Sequence, residues 1–452
     1  MAADLHGHVI PCPATFRPDP SLRAGTKGLG QEHEGRFLMS AVANEETTRD
    51  ASRVSVLLQK DNLLYLISRF MWVSAVQILN VAVGWLVYDV TRSALALGMV
   101  GLAAFLPQLA LAFLSGFVAD RFERRLVCAT SFFLMGLVTT GLLVVASRDY
   151  VSIAGVYVLF IVFGTARGFA TPSAQAMIAN LTPREAFSRI MGISSSTGQM
   201  ATMIGPALGG LLYAVGVCAP FAVAAAFFLS ASLLNLLISK RPQGNAKGPV
   251  RLSDAFAGLH FIRRKPVILG AISLDLFTVL LGGATALLPM VANEILYLGP
   301  MGLGALRSMP ALGALMLGLA LAYSPIEQQA GRKLFLATTV FGLATIVLGL
   351  SENLYLSLVA LWVLGASDVF SVVIRQTLVQ SDTPDEMRGR VAAVNSLFVG
   401  ASNELGEFES GVTAAAFGLV SAILIGGTGT VAVSAIWAVV FPQLRKRDWL
   451  IE

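Results

Sequence analysis

The stretch LALGMVGLAAFLPQLALAFLSGFVADRFERR, Leu95 to Arg125, changes character abruptly. Residues 95–119 carry no charge, and then Asp120, Arg121, Glu123, Arg124 and Arg125 crowd into six positions. An uncharged run of that length is what a helix needs to cross the hydrocarbon core of a bilayer, at about 1.5 Å per residue over about 30 Å. The charges mark where the chain leaves lipid.

The rest of the chain repeats this grammar. Its 452 residues are 55% hydrophobic and only 13% charged, with a mean hydropathy of +0.72. Soluble domains carry about 25% charged residues, so lipid is the expected solvent. Apolar runs predict spans at 63–89, 95–119, 126–147, 151–178, 190–216 and 219–239. A second set follows at 266–291, 300–323, 334–350, 354–380, 391–417 and 419–441. All are read as helices, because an open strand edge cannot be satisfied in lipid. The domains expected are a cytoplasmic tail at 1–60 and a six-helix bundle at 61–239. A linker at 240–265, a second bundle at 266–441 and a tail at 442–452 complete the chain.

The net charge of +5 raises the question of nucleic acid, and the position of the charges answers it. With the N-terminus placed in the cytoplasm, twenty-two Lys and Arg flank cytoplasmic span ends. They include Arg121, Arg124, Arg125, Arg189, Arg263, Arg264, Lys265, Arg332, Lys333, Arg388, Arg390 and Arg445. The opposite loops hold only Arg92 and Arg148. This is the positive-inside pattern of a membrane protein, spread over seven segments with no concentrated binding face. No nucleic-acid partner is expected, and both termini are placed in the cytoplasm.

Small features narrow the classes further. Cys12, Cys128 and Cys218 show neither metal-ligand spacing nor a disulfide framework, and no cofactor or metal is expected. The first residues are polar and rich in Gly and Pro, which predicts disorder, and they lack the apolar core of a signal peptide. Met39 is an expected alternative start, to be tested by N-terminal sequencing. No phosphate-binding Walker loop is present, so ATP is not the expected direct driver. GLGALRSMPALGALMLG, Gly302 to Gly318, has spaced glycines but lies inside a span and reads as helix packing. Within the linker, Leu252, Ala255, Phe256, Leu259 and Ile262 recur at helical spacing. They predict a short amphipathic helix, lying on the membrane surface or serving as a plain tether.

The two halves resemble each other. TPREAFSRIMGISSSTGQMATMIGPALGG, Thr182 to Gly210, aligns without a gap onto TPDEMRGRVAAVNSLFVGASNELGEFESG, Thr383 to Gly411. At an offset of 201 the pairs Thr182/Thr383, Pro183/Pro384, Glu185/Glu386, Arg189/Arg390, Ser195/Ser396, Gly205/Gly406 and Gly210/Gly411 agree. The same offset pairs Arg167 with Asp368. Two six-span halves in parallel repeat match a known transporter plan, with the substrate site between the halves near the bilayer midplane.

Gly116, Asp120, Arg121, Arg124 and Arg125 fit the pattern G-x3-D-R-x-x-R-R between spans 2 and 3. The pattern resembles the signature loop of the major facilitator superfamily, with Glu123 where a Gly is usual. The resemblance implies a latch that holds the cytoplasmic side closed; the plainer reading is that the Arg residues only obey the positive-inside rule. In span 5, Gly192, Gly205, Pro206, Gly209 and Gly210 resemble the family's antiporter motif, with Ala201 in place of one Gly. That implies export in exchange for protons, or else simple helix packing through small residues. Phe160 stands about where the family's span-4 Arg would fall. The span 10–11 stretch looks most like the bacterial branch related to the enterobactin exporter. GRK at Gly331 to Lys333 looks like a decayed second copy of the signature loop.

Charges inside the membrane are costly, at least about 2.5–3.5 kcal/mol each, and mark sites. In the superfamily, spans 1, 4, 7 and 10 line the cavity. Here they carry Arg69, Arg167, Asp275, and Asp368 with Arg375. The pseudo-two-fold predicts that Arg167 and Asp368 face each other and pair in one state, as a proton-sensitive switch or as a permanent pair. Span 11 adds Glu404, Glu407 and Glu409. These are read as proton carriers, as a cation site, or with one of them paired to Arg307. The expectation is a monomeric secondary transporter of the bacterial inner membrane, with a small-molecule substrate, protons and the lipid bilayer as its partners. It is read as a proton-coupled exporter of a small amphiphilic or siderophore-like molecule. Uptake of a small solute, or a sensor or scaffold on a transporter fold, are the alternatives, and no enzymatic activity is expected.

Overall fold

In lipid the backbone must satisfy its own hydrogen bonds, and the apolar runs answer by forming helices. The computed structural model describes residues 59–148, 151–182, 186–239, 252–324, 326 and 328–448. In the N-terminal half, span 1 is Lys60–Thr91, and span 2 is Ala94–Ala110 continued as Ala112–Arg121. Span 3 is Arg124–Ala146, span 4 Ile153–Leu181, span 5 Phe187–Val215 and span 6 Ala219–Leu237. In the C-terminal half, span 7 begins as Pro266–Leu281 and runs on in short turns to Ile295. Span 8 is Pro300–Tyr323, span 9 Ala330–Leu350, span 10 Leu354–Ser381, span 11 Asp385–Phe417 and span 12 Leu419–Val440. Helices therefore stand at all twelve expected positions.

Among the described residues, nine of these helices are long and apolar enough to cross a membrane. Spans 2, 5 and 11 fall short of that measure, and each for a visible reason. Span 2 is divided at Leu111, four residues after Pro107, whose ring removes a backbone donor. Spans 5 and 11 carry Ser, Thr, Gln, Asn or Glu along much of their length. All three take part in the contacts between the halves, together with span 8. Spans 5 and 8 pack together, as do spans 11 and 2. In the sequence repeat, 5 corresponds to 11 and 2 to 8, so the two junctions are one contact made twice about a pseudo-two-fold axis.

Each half is held by small polar groups. Ser232 donates to the Ala129 carbonyl (2.7 Å), and Asn235 donates to Ser68 Oγ (2.6 Å), tying span 6 to spans 3 and 1. In the C-terminal half, Thr338 and Ser434 share a hydrogen bond (2.9 Å) and the Trp437 indole donates to Ser273 (2.8 Å). Such bonds contribute about 0.6 kcal/mol each in membranes, with no apolar driving force between helices to assist them. Large apolar side chains such as Val158, Leu233 and Leu336 point outward, as a lipid solvent permits.

The linker helix is Leu252–Arg264. It is docked on the C-terminal bundle: Ile262 is buried against Ile268, Ile272, Val379, Val391 and Val394. Gly258 is close enough to span 11 that a β-carbon would sit 2.8 Å from the Arg390 carbonyl. Residues 1–58, with Met39, and 240–251 lie outside the described residues. The end of the bundle carrying this helix is called the linker end below, and the opposite one the far end. Gly331, in the expected decayed motif, packs against the C-terminal segment. Its amide donates to the Arg447 carbonyl (3.0 Å), and the Leu444 carbonyl lies 1.9 Å from where a β-carbon would stand.

Candidate functional site

Between the halves lies a cavity of about 480 Å³. Span 1 supplies Gln77 and Asn80, and span 5 supplies Gln199, Thr202 and Pro206. The opposite wall is Val279, Leu288, Arg307, Phe341, Leu364, Asp368, Asn403 and Glu407 from spans 7 to 11. A smaller compartment of about 320 Å³ adjoins it. Asn80, Arg307, Asn403 and Glu407 border both, and Arg167 and Glu404 border the smaller one.

Four charges gather there. Arg167 of span 4 pairs with Glu404 of span 11 across the halves, Nη1 to Oε1 at 3.2 Å. Glu407, one turn on, feels the charges of Glu404, Arg307 and Arg167. Glycines of the N-terminal half make room for them. A β-carbon on Gly101 would stand 3.2 Å from Glu407 Oε2, and one on Gly84 would stand 3.5 Å from Arg307 Nη2. The expected pairing of Arg167 with Asp368 is not the one this structure makes. Asp368 lines the larger cavity and Arg167 the smaller compartment, and it is Glu404 of span 11 that reaches Arg167.

Asp368 belongs to a second cluster, inside the C-terminal half. Arg375 Nη2 lies 3.2 Å from Asp275 Oδ1, and Nη1 donates to Asn395 Oδ1 at 2.9 Å. Arg375 is only 2% exposed. Asp368 is an electrostatic neighbour of both Asp275 and Arg375. Of this cluster only Asp368 lines the cavity; Asp275 and Arg375 sit behind it, binding span 7 to spans 10 and 11. A pair so deeply buried must recover the cost of desolvating both ions, which explains the third partner, Asn395.

Two other sequence candidates lie apart from the cavity lining. Arg69 Nε donates to the Ser194 carbonyl at 2.9 Å, bracing span 1 on span 5. Glu409 accepts from Thr413, one turn along its own helix (2.8 Å). In the loop after span 2, Arg124 Nη1 donates to the Ala176 carbonyl of span 4 (3.0 Å). Arg125 Nη1 donates to the Ile238 carbonyl after span 6 (2.7 Å) and its Nε bonds Glu123. These guanidinium groups therefore meet the electronegative C-terminal ends of helices in their own half. Arg121 is exposed, nothing lies within 4 Å of a β-carbon on Gly116, and the Asp120 side chain is outside the described residues.

The glycine motif of span 5 is a contact surface. A β-carbon on Gly205 would meet Gln77 Cβ at 2.6 Å, and one on Gly209 would meet Ile78 at 3.1 Å, so both let span 1 approach. Gly210 faces the other half, with Pro300 O at 2.5 Å and Gly304 Cα at 2.9 Å. Its repeat partner Gly411 faces Ala94 O and Gly98 in the same way. Gly192 has open space. At the far end, Tyr88 donates to Glu294, and Arg92 donates to Asn293 (2.8 Å), joining spans 1 and 7. The sequence reading missed this closure; a lone Glu in the apolar run after Gly283 was its signal. It also missed the neutral lining residues Gln77, Asn80 and Gln199, which break apolar runs without adding charge.

Comparison with known proteins agrees with this architecture. The enterobactin exporter EntS of Citrobacter koseri is 24% identical over 387 residues, covering 84% of this chain and 91% of that protein. EntS of Escherichia coli O1:K1 / APEC is 26% identical over 370 residues, 80% and 84% of the two chains. Among solved structures, a variant of the nucleoside transporter NupG superposes with a TM-score of 0.69 at 12% identity, covering 84% of this chain and 99% of that one. A bacterial homolog of the human lysosomal transporter Spinster, inward-facing and unoccupied, gives 0.63 at 16% identity over 87% and 96%. The sequence profile of the Major Facilitator Superfamily matches residues 64–407. With two helical halves joined by 5–8 and 11–2 contacts around a central cavity, this multi-pass membrane chain belongs to the Major Facilitator Superfamily of transporters.

Proposed function

We propose that the protein is a proton-coupled exporter of a small amphiphilic or siderophore-like molecule, working by alternating access. The observation that carries the proposal is the ion pair Arg167–Glu404, at 3.2 Å across the two halves and beside the cavity. A contact made between halves exists in one arrangement of them and not in another. Protonation of Glu404 removes its charge and weakens the contact, so proton binding and conformation become linked. A linkage of about 1–3 kcal/mol moves such an equilibrium about 5- to 150-fold. Glu407 and Asp368, both on the cavity wall, are proposed as further proton carriers.

The cavity itself supports an amphiphilic cargo. One wall is rich in amides, from Gln77, Asn80 and Gln199; the other includes Val279, Leu288, Phe341 and Leu364. Its volume suits a small molecule. The direction is taken from the exporters that the chain resembles. The same reading places the linker end and both termini in the cytoplasm of a bacterial cell, with the protein as a monomer in the inner membrane. It also assigns the two bundles to 61–239 and 266–441, and the loop of Gly116, Asp120, Arg121, Arg124 and Arg125 to a latch. In that role Arg124 and Arg125, bonded to carbonyls of their own half, brace the N-terminal bundle.

The test is a substrate screen in inverted membrane vesicles with an imposed pH gradient. Compounds that collapse the gradient only when the protein is present are its substrates. The expected result is collapse by an amphiphilic compound, reduced at least about tenfold by Glu404→Gln combined with Glu407→Gln, with a flattened pH profile. Full proton-driven transport in that double variant, or in Asp368→Asn, would remove the proton role from these residues.

A further inference from the structure

Arg307 stands out among the cavity residues. It lies about a third of the way along span 8, borders both compartments, and its Nε is buried without a hydrogen-bond partner. Arg167 and Arg375 have carboxylates at 3.2 Å. Arg307 makes no hydrogen bond or ion pair with any described residue, and Glu407 reaches it only as a longer-range charge. A guanidinium presents five fixed donors and stays charged at any working pH. Leaving it unanswered in a lipid-enclosed cavity is costly, and a ligand anion is the group that would answer it.

We infer that Arg307 is the recognition centre for an anionic group on the substrate, a carboxylate or phenolate held by the guanidinium between the two compartments. This deepens the transporter reading and rests on it. The flanking groups define the rest of the molecule. Asp368 of span 10 and Glu407 of span 11 face the same space and repel an anion that offers nothing else, so the substrate also carries hydroxyl donors for those carboxylates. Glu404 is already engaged by Arg167 of span 4. The amides of Asn80 and Asn403, at the border of both compartments, are placed to take either kind of polar group. Phe341 and Leu364 supply an apolar face. The substrate class is therefore a hydroxylated, partly apolar acid. Gly84 of the opposite half lies beside this site, where a β-carbon would stand in ordinary contact with Arg307 Nη2 at 3.5 Å.

The experiment measures binding, not transport, so that its outcome is separate from the vesicle screen. Thermal unfolding of the purified full-length protein in detergent is followed with 4-hydroxybenzoate, its neutral amide 4-hydroxybenzamide, and the cationic tyramine. The three probes share a hydroxylated ring and differ in charge. The acid is expected to bind at least about tenfold tighter than the amide, as charge-assisted bonds outweigh neutral ones. Arg307→Lys should keep a reduced preference for the acid, and Arg307→Gln should lose it. If the glutamine variant does not fold, the acid-to-amide ratio in the unaltered protein and in Arg307→Lys decides. Equal binding of acid and amide, no response to the acid, a preference for tyramine, or an acid preference that survives in Arg307→Gln each overturns the inference. Protein-dependent gradient collapse in vesicles would still leave the transporter reading standing.

Discussion

The far-end junctions predict how the protein can be driven from one state to another. Gly210 has only backbone against it: a β-carbon would stand 2.5 Å from Pro300 O, 2.9 Å from Gly304 Cα and 3.1 Å from Gly304 N. No flexible side chain can yield there. Gly210→Ala therefore requires spans 5 and 8 to part by about 1 Å to restore ordinary contact, forfeiting dispersion along the seam. Overpacking of this kind costs about 1–3 kcal/mol. The cost falls on the state in which the far end is closed, since that is where the helices touch. A bias of that size shifts the conformational equilibrium about 5- to 150-fold toward opening at the far end. Gly411→Ala, with Ala94 O at 2.9 Å and Gly98 Cα at 3.0 Å, should act alike through the repeat-related contact, and the two effects should add. The assay is labelling of Asn80→Cys, deep in the cavity, by an impermeant maleimide outside intact cells. Cys12 and Cys218 are first replaced by Ser; Cys128 is fully buried and can remain. Labelling should quicken at least about fivefold in Gly210→Ala, and more in the double variant. Gly192→Ala, in open space, is the control and should change nothing. Unchanged labelling in the double variant, with normal amounts in the membrane, refutes the argument; so does equal quickening in the control.

Three further outcomes follow from the ion pairs. Asp275→Asn leaves Arg375 buried without its countercharge and should destabilise the protein by about 3–5 kcal/mol, whereas Asp275→Leu with Arg375→Met should recover most of the loss; thermal unfolding in detergent reads both. Arg167→Gln and Glu404→Gln should each slow transport, and together no more than either alone. The coupling expected in a double-mutant cycle is about 1 kcal/mol, since the side chains remain 30% and 19% exposed. Arg125→Gln should lower stability by about 0.3–1 kcal/mol by uncapping the end of span 6, while Gly116→Ala, in open space, should be silent to the same measurement.

The far-end closure and the charge clusters show where sequence reasoning reached and where it stopped. Span 8 was placed at 300–323 and lies at Pro300–Tyr323; span 12 was placed at 419–441 and lies at Leu419–Val440. Hydropathy is summed along contiguous residues, so it is a local property and survives without knowledge of neighbours. The candidate charges Arg167, Glu404 and Glu407 were legible for the same reason, since a charge inside an apolar run is costly wherever the run packs. Partner choice was not. Asp275 with Arg375, and Arg167 with Glu404, are separated by 100 or more positions, and nothing along the chain ranks one acid above another at similar depth. Glu294 was visible only as a lone acid in an apolar run, with nothing to name Tyr88 as its partner, and Gly101, which admits Glu407, carried no signal of its role until the helices were assembled.

By itself the sequence determined a membrane-embedded helical chain, the clustering of its basic residues at alternate loops and its twofold repeat, because lipid imposes those through composition and periodicity alone. Only the tertiary structure decided which charges meet and which stay apart. Helix rotation and lateral packing bring span 11, not span 10, to Arg167, and leave Arg307 facing a cavity without a contacting acid. Those distances depend on how whole helices lean on one another through glycine contacts, and no local property of the chain encodes them.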